Sequence, residues 1–234
     1  MSPIKTLTLY AHPAAPHPWK IILILTELEL PFDVAHKTTA AVTKEQIRQM
    51  NPNERVPILQ DPNTGLTLWE AGAIAEYIIE MYDQEGRLSY NTLAERWATR
   101  IWVVFNVTTQ DQYYGQKAYF TLFHENKDIP SVLKHYTDEV KRVLGVLELH
   151  LRRTGQPYLV GDRVTYADLM FAPFHNVLCS VILYPEFEAE WKADFPRCYE
   201  WHQRLMRRPK VVEAFQQRAE AERIMKEENG RVIR

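Results

Sequence analysis

The sequence predicts two domains, a small α/β domain built on a mixed four-stranded sheet and a C-terminal all-α domain. Alternating strand patterns are confined to the first third of the chain, and beyond the polar segment DQEGRLSYN the apolar residues recur only at helical spacing. At 234 residues the chain is long enough for one domain or for two that share an interface. We place the domains at residues 1–83 and 92–218, with a charged tail at residues 219–234.

The first half of the α/β domain is predicted as strand, helix and strand. The segment IKTLTLY alternates as a strand does, and a helix apolar on nearly every face follows from Trp19 to Leu28. His17, between Pro16 and Pro18, is expected to be the N-cap of this helix. PFDVAHK then forms a second strand, and the intervening helix predicts that the two strands are parallel.

A hairpin and a helix complete this domain. VPILQD and LTLW are the predicted strands, and the turn between them contains Pro62 and Gly65. A helix is then expected from about Ala71 to Tyr82. With a short helix before the hairpin, the order β-α-β-α-β-β-α predicts a mixed sheet of four strands.

Helix start signals dominate the second domain. Thr92 with Glu95, and Thr165 with Asp168, form capping boxes, in which each side chain bonds the backbone N–H of the other residue. The first opens a helix through about residue 105, and the second opens a long apolar helix through about residue 183. Between Lys134 and Leu151 an apolar stripe recurs at helical spacing, and FPRCYEWHQRLMRRP predicts one more amphipathic helix.

Composition and charge argue against several classes of protein. A hydrophobic fraction of 46% and a formal net charge of −2 are ordinary for a globular protein and give no electrostatic attraction to nucleic acid. Cys179 and Cys198 lack metal-ligand spacing, so we expect buried thiols and no metal. Because a strand begins at Ile4 and no apolar run reaches the length of a membrane span, we expect no signal peptide, no membrane association and a cytoplasmic location.

Three motifs carry a resemblance to a known family. NPNERVPIL resembles the N-P-x-x-x-V-P segment of the glutathione transferases, LWEAGAI resembles their E-S-x-A-I segment, and GDRVTYADLMFAP resembles their helical-domain capping motif. With HPWKIILILTEL and QYYGQ, the chain is most similar to fungal glutathione transferases related to the yeast nitrogen regulator that can form a prion. The resemblance spans residues 4–215 and implies a thioredoxin-like first domain that binds glutathione.

The resemblance implies a glutathione site at two segments. Val56 and Pro57 would form a cis peptide bond that turns the Val56 backbone toward the cysteinyl part of glutathione. Glu70 would take the γ-glutamyl ammonium, and the helix that begins at Ala71 would take its carboxylate, because helix N-termini offer unpaired N–H groups. Ala71 replaces the serine usual in the family. Taken alone, Val56-Pro57 is also typical of a turn before a strand, and Glu70 of a residue that complements the helix dipole.

Further contacts follow from the same resemblance. Arg55 and Lys44 would reach the glycyl carboxylate of glutathione, although either side chain is also typical of a solvated surface. The small hydrophobic electrophile would be bound in the helical domain by a polar and aromatic run whose alternative is an ordinary helix face. Four residues make up this run: Gln110, Tyr113, Tyr114 and Gln116.

His17 is the candidate catalytic residue. A thiol with a pKa of about 8.5 is only about 3% ionised at pH 7, so the protein would have to lower the pKa of the glutathione thiol. Aligned with the relatives' S-A-P-N motif, Ala14 replaces the serine and His17 replaces the asparagine that stabilises the thiolate. His17 would donate an N–H to the sulfur or accept the thiol proton, at a helix N-terminus that itself favours an anion. The alternative is a loop histidine without a chemical role.

The functional expectation is a glutathione-dependent transferase that adds the thiolate to a small hydrophobic electrophile. One alternative is a glutathione-dependent cis-trans isomerase of a conjugated alkene in a fungal secondary-metabolite pathway. The other is a non-catalytic regulatory or binding protein, against which the lack of an Asn/Gln-rich segment argues. The resemblance also implies a homodimer.

Overall fold

Two units make up the chain in the computed structural model, which describes residues 3–36 and 43–232. The first unit runs to Arg87 and resumes at Arg207, and the second is Leu88–Met206. The first junction falls in the predicted polar linker. The second differs from the predicted boundary, because the last helix of the chain groups with the sheet and not with the other helices.

The sheet of the first unit is mixed and has four strands, as predicted. In sequence they are β1 (Leu7–Ala11), β2 (Phe32–His36), β3 (Ile58–Asp61) and β4 (Leu66–Trp69). Their spatial order is β2-β1-β3-β4, with β1 parallel to β2 and antiparallel to β3, and β3 antiparallel to β4. The parallel pairing predicted for the first two strands is confirmed.

Three helices accompany these strands: α1 (Pro16–Glu27), α2 (Lys44–Met50) and α3 (Ala71–Tyr82). Every residue of α1 from Pro18 to Leu25 is buried, as its apolar run predicts. The prediction that His17 caps this helix is wrong, because Ala15 is the N-cap and Pro16 is the first helical residue. Proline is well suited to that position, where the missing N–H would have no helical partner.

The second unit is helical. Its helices are α4 (Leu93–Phe105), α5 (Asp111–Leu122), α6 (Pro130–Thr154), α7 (Tyr166–Asn176), α8 (Phe187–Asp194) and α9 (Pro196–Met206). A π-helical turn at Asn106–Gln110 joins α4 to α5, and a second lies at Leu178–Ile182. The long helix predicted through residue 183 therefore ends as an α-helix at Asn176.

The capping box of α7 is confirmed and extends into a buried network. The carboxylate of Asp168 accepts from the Thr165 backbone N–H at 2.8 Å and from the Leu159 N–H at 2.9 Å. The indole N–H of Trp201 donates to the same carboxylate at 2.9 Å. Asp168 is completely buried, and the loss of water around its carboxylate raises its pKa. The hydrogen bonds to its oxygens act in the opposite direction and offset part of this cost.

The last helix, α10 (Pro209–Val232), belongs to the first unit. Val211 and Ala214 are buried, and Arg208 donates two hydrogen bonds to the carboxylate of Glu27, at 2.6 and 2.8 Å. The charged segment that we expect to be a solvated tail is helical as far as Val232, and the turns of α10 that precede this segment pack on α1. None of the helices in the described part of the chain is long and apolar enough to cross a membrane.

Two histidines are buried in the core of the second unit. His202 stacks on Trp191 with ring centroids 4.9 Å apart, and His175 lies 5.7 Å from His202. Burial lowers the pKa of His202 to about 4, and burial together with His202 holds the pKa of His175 well below its usual value. We therefore expect both imidazoles to be neutral in the folded protein near pH 7.

These histidines predict acid lability. In the unfolded chain they bind protons below about pH 6.5, and in the folded chain they do not, so the free energy of unfolding falls as the pH falls toward about 4. For His202 alone we expect a loss of about 2 kcal/mol between about pH 7.5 and about pH 5. Urea denaturation of wild type and His202→Phe at both pH values measures this loss, which should be smaller in His202→Phe. The control is His135→Phe, because His135 is exposed and its replacement should leave the loss as in wild type. Equal losses of unfolding free energy in the two variants would contradict the prediction.

Candidate functional site

The register of the sheet brings three predicted segments to one place. Ile58 of β3 lies opposite Tyr10 of β1 and opposite Trp69 of β4. Because both pairings are antiparallel, β1 and β4 end where β3 begins. Three segments therefore meet at one end of the sheet, here called the site edge: residues 12–17 after β1, Val56-Pro57 before β3 and Glu70-Ala71 after β4.

The Val56-Pro57 segment has the geometry that the resemblance implies. Its peptide bond is cis, Pro57 is buried and Val56 is half-buried. The preceding loop is held by Asn51, whose side-chain N–H donates to the Arg55 carbonyl at 2.8 Å and whose side-chain oxygen accepts from the Asn53 N–H at 2.9 Å. Sequence reasoning missed Asn51, although it is the first residue of the NPNERVPIL motif.

Glu70 occupies an unusual backbone conformation directly before α3. It is the N-cap of that helix, with φ +71°, a region that side-chain-bearing residues rarely adopt. Its side chain is exposed and forms no capping hydrogen bond, so it does not occupy the N-terminus of α3. Such strained residues concentrate at ligand sites, and a helix N-terminus attracts anions. The arrangement can therefore receive a group that carries both a cation and an anion.

The loop between β1 and α1 is tightly hydrogen-bonded. The Ala14 N–H donates to Nδ1 of His12 at 3.2 Å, and the indole N–H of Trp19 donates to the Pro13 carbonyl at 2.7 Å. His17 follows this loop as the second residue of α1 and is half-buried. It lies in the first turn of a helix, where the dipole favours negative charge nearby and disfavours a protonated imidazole. Sequence reasoning missed His12 and Trp19.

The two predicted cations are differently placed. Lys44 has 82% of its side chain exposed, and its Nζ lies 3.3 Å from a carboxylate oxygen of Glu54. Arg55 is exposed, and its backbone is fixed by Asn51 next to the cis peptide bond. Arg55 is thus adjacent in sequence to the site edge, whereas Lys44 takes part in a surface ion pair.

Two of the four residues predicted to bind the electrophile cannot contact it in this conformation. Gln110 and Tyr114 are completely buried in the second unit; Gln110 accepts from the Asn106 side chain at 2.7 Å, and the Tyr114 hydroxyl lies 3.4 Å from Nε2 of His175. Burial raises the pKa of Tyr114 well above its usual value. The expectation for these two residues is therefore corrected.

The burial of Gln110 and Tyr114 follows the helical spacing of this stretch. Asn106, Gln110, Tyr114 and Lys117 recur every three or four residues and are all buried, so they share one face directed into the core. Of the other two predicted residues, Tyr113 is half-buried, with the Arg142 guanidinium 5.4 Å from its ring centroid, and Gln116 is exposed.

Comparison with known proteins decides the family. The glutathione S-transferase N-terminal domain family matches residues 5–80, and the glutathione S-transferase C-terminal domain family matches residues 112–209. The glutathione S-transferase-like protein tpcF of Aspergillus fumigatus is 39% identical over 220 residues, which cover 90% of this chain and 95% of the relative. The chain belongs to the glutathione transferase family.

Further similarities of this family member are to Ure2-type proteins, as predicted. Protein URE2 of Meyerozyma guilliermondii is 32% identical over 251 residues, which cover 91% of this chain and 80% of the relative. The solved structure of Ure2p5 from Phanerochaete chrysosporium, cocrystallised with 1-(S-glutathionyl)-2,4-dinitrobenzene, has a TM-score of 0.83 and 31% identity. That similarity covers 94% of this chain and 97% of the solved chain.

Asn51 is predicted to be a stability determinant of the site edge. Asn51→Ala leaves the Arg55 carbonyl and the Asn53 N–H without their partner, so we expect a loss of about 1–3 kcal/mol in the free energy of unfolding. Urea denaturation measures it. Asn53→Ala is the matched control, because it keeps the backbone N–H that donates to the side-chain oxygen of Asn51. Equal stabilities of the two variants would refute this role.

Proposed function

We propose that this protein binds glutathione at the site edge and transfers it to a small hydrophobic electrophile. The convergence of residues 12–17, Val56-Pro57 and Glu70-Ala71 at one end of the sheet carries the proposal. The backbone of Val56 pairs with the cysteinyl part of glutathione. Glu70 binds the γ-glutamyl ammonium and the N-terminus of α3 binds the adjacent carboxylate, so that both charges of this end have partners.

The remaining carboxylate of glutathione, on its glycyl end, is assigned to Arg55. A guanidinium recognises a carboxylate through paired hydrogen bonds. Lys44 would have to leave Glu54 to contribute, and its exposure makes that exchange inexpensive. Ala71 supplies its backbone N–H at the helix start in place of a serine that would add a hydroxyl.

Lowering the pKa of the glutathione thiol is the chemical task of the site. The N-terminus of α1 points its dipole at the loop where the sulfur would lie, and His17 stands in that first turn. We assign His17 the role of a neutral donor, whose imidazole N–H bonds the thiolate. A thiolate is the nucleophile for conjugation, and a reversible addition of the same thiolate would serve isomerisation.

Conjugation is favoured over the alternatives by one observation. The Ure2p5 structure holds a conjugate of glutathione with dinitrobenzene, the product of thiolate attack on an aromatic electrophile. The similarity to Protein URE2 is the reason to retain a non-catalytic role as the second candidate. Tyr113 and Gln116 stay predicted contacts of the electrophile, and the cytoplasmic location also stays a prediction.

Glutathione binding is the first test. Isothermal titration of the wild type should show binding, and Glu70→Gln should weaken it by about tenfold to a hundredfold, because a hydrogen bond to a charged group is worth about 1.5–3 kcal/mol. Glu80→Gln is the matched control, since Glu80 is an exposed carboxylate of α3 ten residues from Glu70, about 15 Å along the helix. A wild type that does not bind glutathione would overturn the proposed function.

Thiol activation is tested at His17. In His17→Ala we expect the pKa of the bound thiol to rise by about one unit. At a pH below the wild-type pKa of this thiol, the thiolate fraction should then fall about tenfold. Ultraviolet absorbance of the bound thiolate against pH measures the pKa, and turnover of 1-chloro-2,4-dinitrobenzene measures activity. His17→Asn, which restores the relatives' donor, should keep the low pKa. If His17→Asn behaves like His17→Ala, the imidazole acts as a base; an unchanged pKa in both variants assigns it no chemical role.

A homodimer is proposed from an exposed apolar face of α4. Four large apolar side chains share this face at helical spacing, and each is more than half exposed: Leu93, Trp97, Ile101 and Val104. Such a contiguous apolar stripe is characteristic of an interface. Ile101→Glu should convert the dimer to a monomer in size-exclusion chromatography with light scattering. Phe123→Glu, at an apolar residue 72% exposed outside α4, should leave the dimer intact. A monomeric wild type would contradict the proposal.

A further inference from the structure

Hydrogen bonds join the C-terminal helix α10 and the residue before it to both ends of α1. Arg208, just before α10, binds Glu27 at the C-terminal end of α1. Arg218, in the third turn of α10, donates from Nη2 to the carbonyl of Ala14 at 3.2 Å, just before the N-terminal end of α1. The two helices therefore run antiparallel, and residues separated by 204 positions in sequence meet at the loop that precedes His17.

Arg218 is unusual because it continues an apolar stripe. Val211, Ala214 and Arg218 recur at helical spacing on the face of α10 that is buried, and Arg218 is only 5% exposed. A buried guanidinium needs acceptors. It finds one in the Ala14 carbonyl and another in Glu222, whose carboxylate accepts from Nε at 2.9 Å. An apolar residue would pack here without those partners, so packing alone does not account for an arginine.

The acceptor lies at a position important for the proposed chemistry. Ala14 aligns with the serine of the relatives' S-A-P-N motif, and residues 12–17 form one of the three segments of the site edge. We propose that Arg218 is a positioning residue for the thiol site, which fixes the Ala14 carbonyl and thereby the loop and first turn of α1 against which the glutathione sulfur lies. This inference rests on the proposed function for its effect on the thiol, but its effect on the loop does not depend on glutathione.

Charge contributes to the same effect. The Nη2 of Arg218 faces the loop, whereas its Nε faces Glu222, so the loop meets the positive part of this ion pair. Positive charge beside a thiol favours the thiolate. The loop and the start of α1 carry three further titratable groups, His12, His17 and Lys20, of which Lys20 is completely buried. His36 ends β2, and Glu27, at the other end of α1, is paired with Arg208. On α10 the charged neighbours of Arg218 and Glu222 are Glu220 and Arg223, which pair with each other. Because the methyl side chain of Ala14 cannot donate a hydrogen bond to the sulfur, the fixed positive environment would take a larger share in stabilising a thiolate.

The test compares the two ends of α10. Arg218→Met removes the guanidinium at the loop and keeps an unbranched side chain, and Arg208→Met removes the equivalent contact at the other end of α1. Amide hydrogen exchange without glutathione should increase in residues 12–19 for Arg218→Met, and around residue 27 for Arg208→Met. In the presence of glutathione, Arg218→Met should raise the pKa of the bound thiol by about one unit and shift the pH profile of kcat/KM equally. Arg208→Met should leave both unchanged.

Each outcome decides the inference. Arg218→Lys, which keeps the charge but loses the guanidinium fork, should fall between wild type and Arg218→Met. If Arg218→Met shows the same exchange in residues 12–19 and the same thiol pKa as wild type, Arg218 only packs α10 and the inference is overturned. If wild type does not bind glutathione, the proposed function fails together with the effect on the thiol, and the exchange data alone then decide whether Arg218 orders the loop.

Discussion

Antiparallel pairing of β3 with both of its neighbours is the constraint on which the candidate site depends. Backbone hydrogen bonds in this register place the end of β1, the start of β3 and the end of β4 at one edge. Each of these chain segments then leaves the sheet in a geometry suited to a ligand. The loop after β1 enters α1, the cis Val56-Pro57 bond precedes β3, and the positive φ of Glu70 starts α3. A slip of one residue in this register would move every side chain of the strand to the opposite face of the sheet.

Two helices, α1 and α3, begin at this edge, and the dipole of each favours an anion near its N-terminus. The resemblance implies a serine and an asparagine at positions where this chain has Ala14 and His17. In the proposed function no hydroxyl is present at Ala14, and the Ala14 carbonyl accepts a hydrogen bond from Arg218 of the distant helix α10.

The helical unit shows how polar groups are used away from ligands. Asp168 accepts hydrogen bonds from Leu159 and Thr165 of the loop before α7 and from Trp201 of α9, and thereby joins α7 to α9. Gln110 and Tyr114 belong to the same kind of interior, joined to Asn106 and His175. These contacts are buried, so they stabilise the fold without offering groups to a substrate. The buried histidines make that interior sensitive to acid, because they must remain neutral.

The local pattern by itself determined the strands, most helices and the capping box of α7. Alternation in IKTLTLY, the apolar run of α1, the capping residues Thr165 and Asp168 and the turn at Gly65 each act over a few neighbouring residues, so they can be read directly from the sequence. The motifs likewise identified the family and pointed to Val56-Pro57 and Glu70.

Tertiary structure alone decided the features that depend on contacts between residues distant in the sequence. Ala15 rather than His17 caps α1, Gln110 and Tyr114 pack in the core with Asn106 and His175, and α10 returns to α1 so that Arg218 reaches Ala14. Each of these outcomes follows from contacts between surfaces that exist only after the chain has folded.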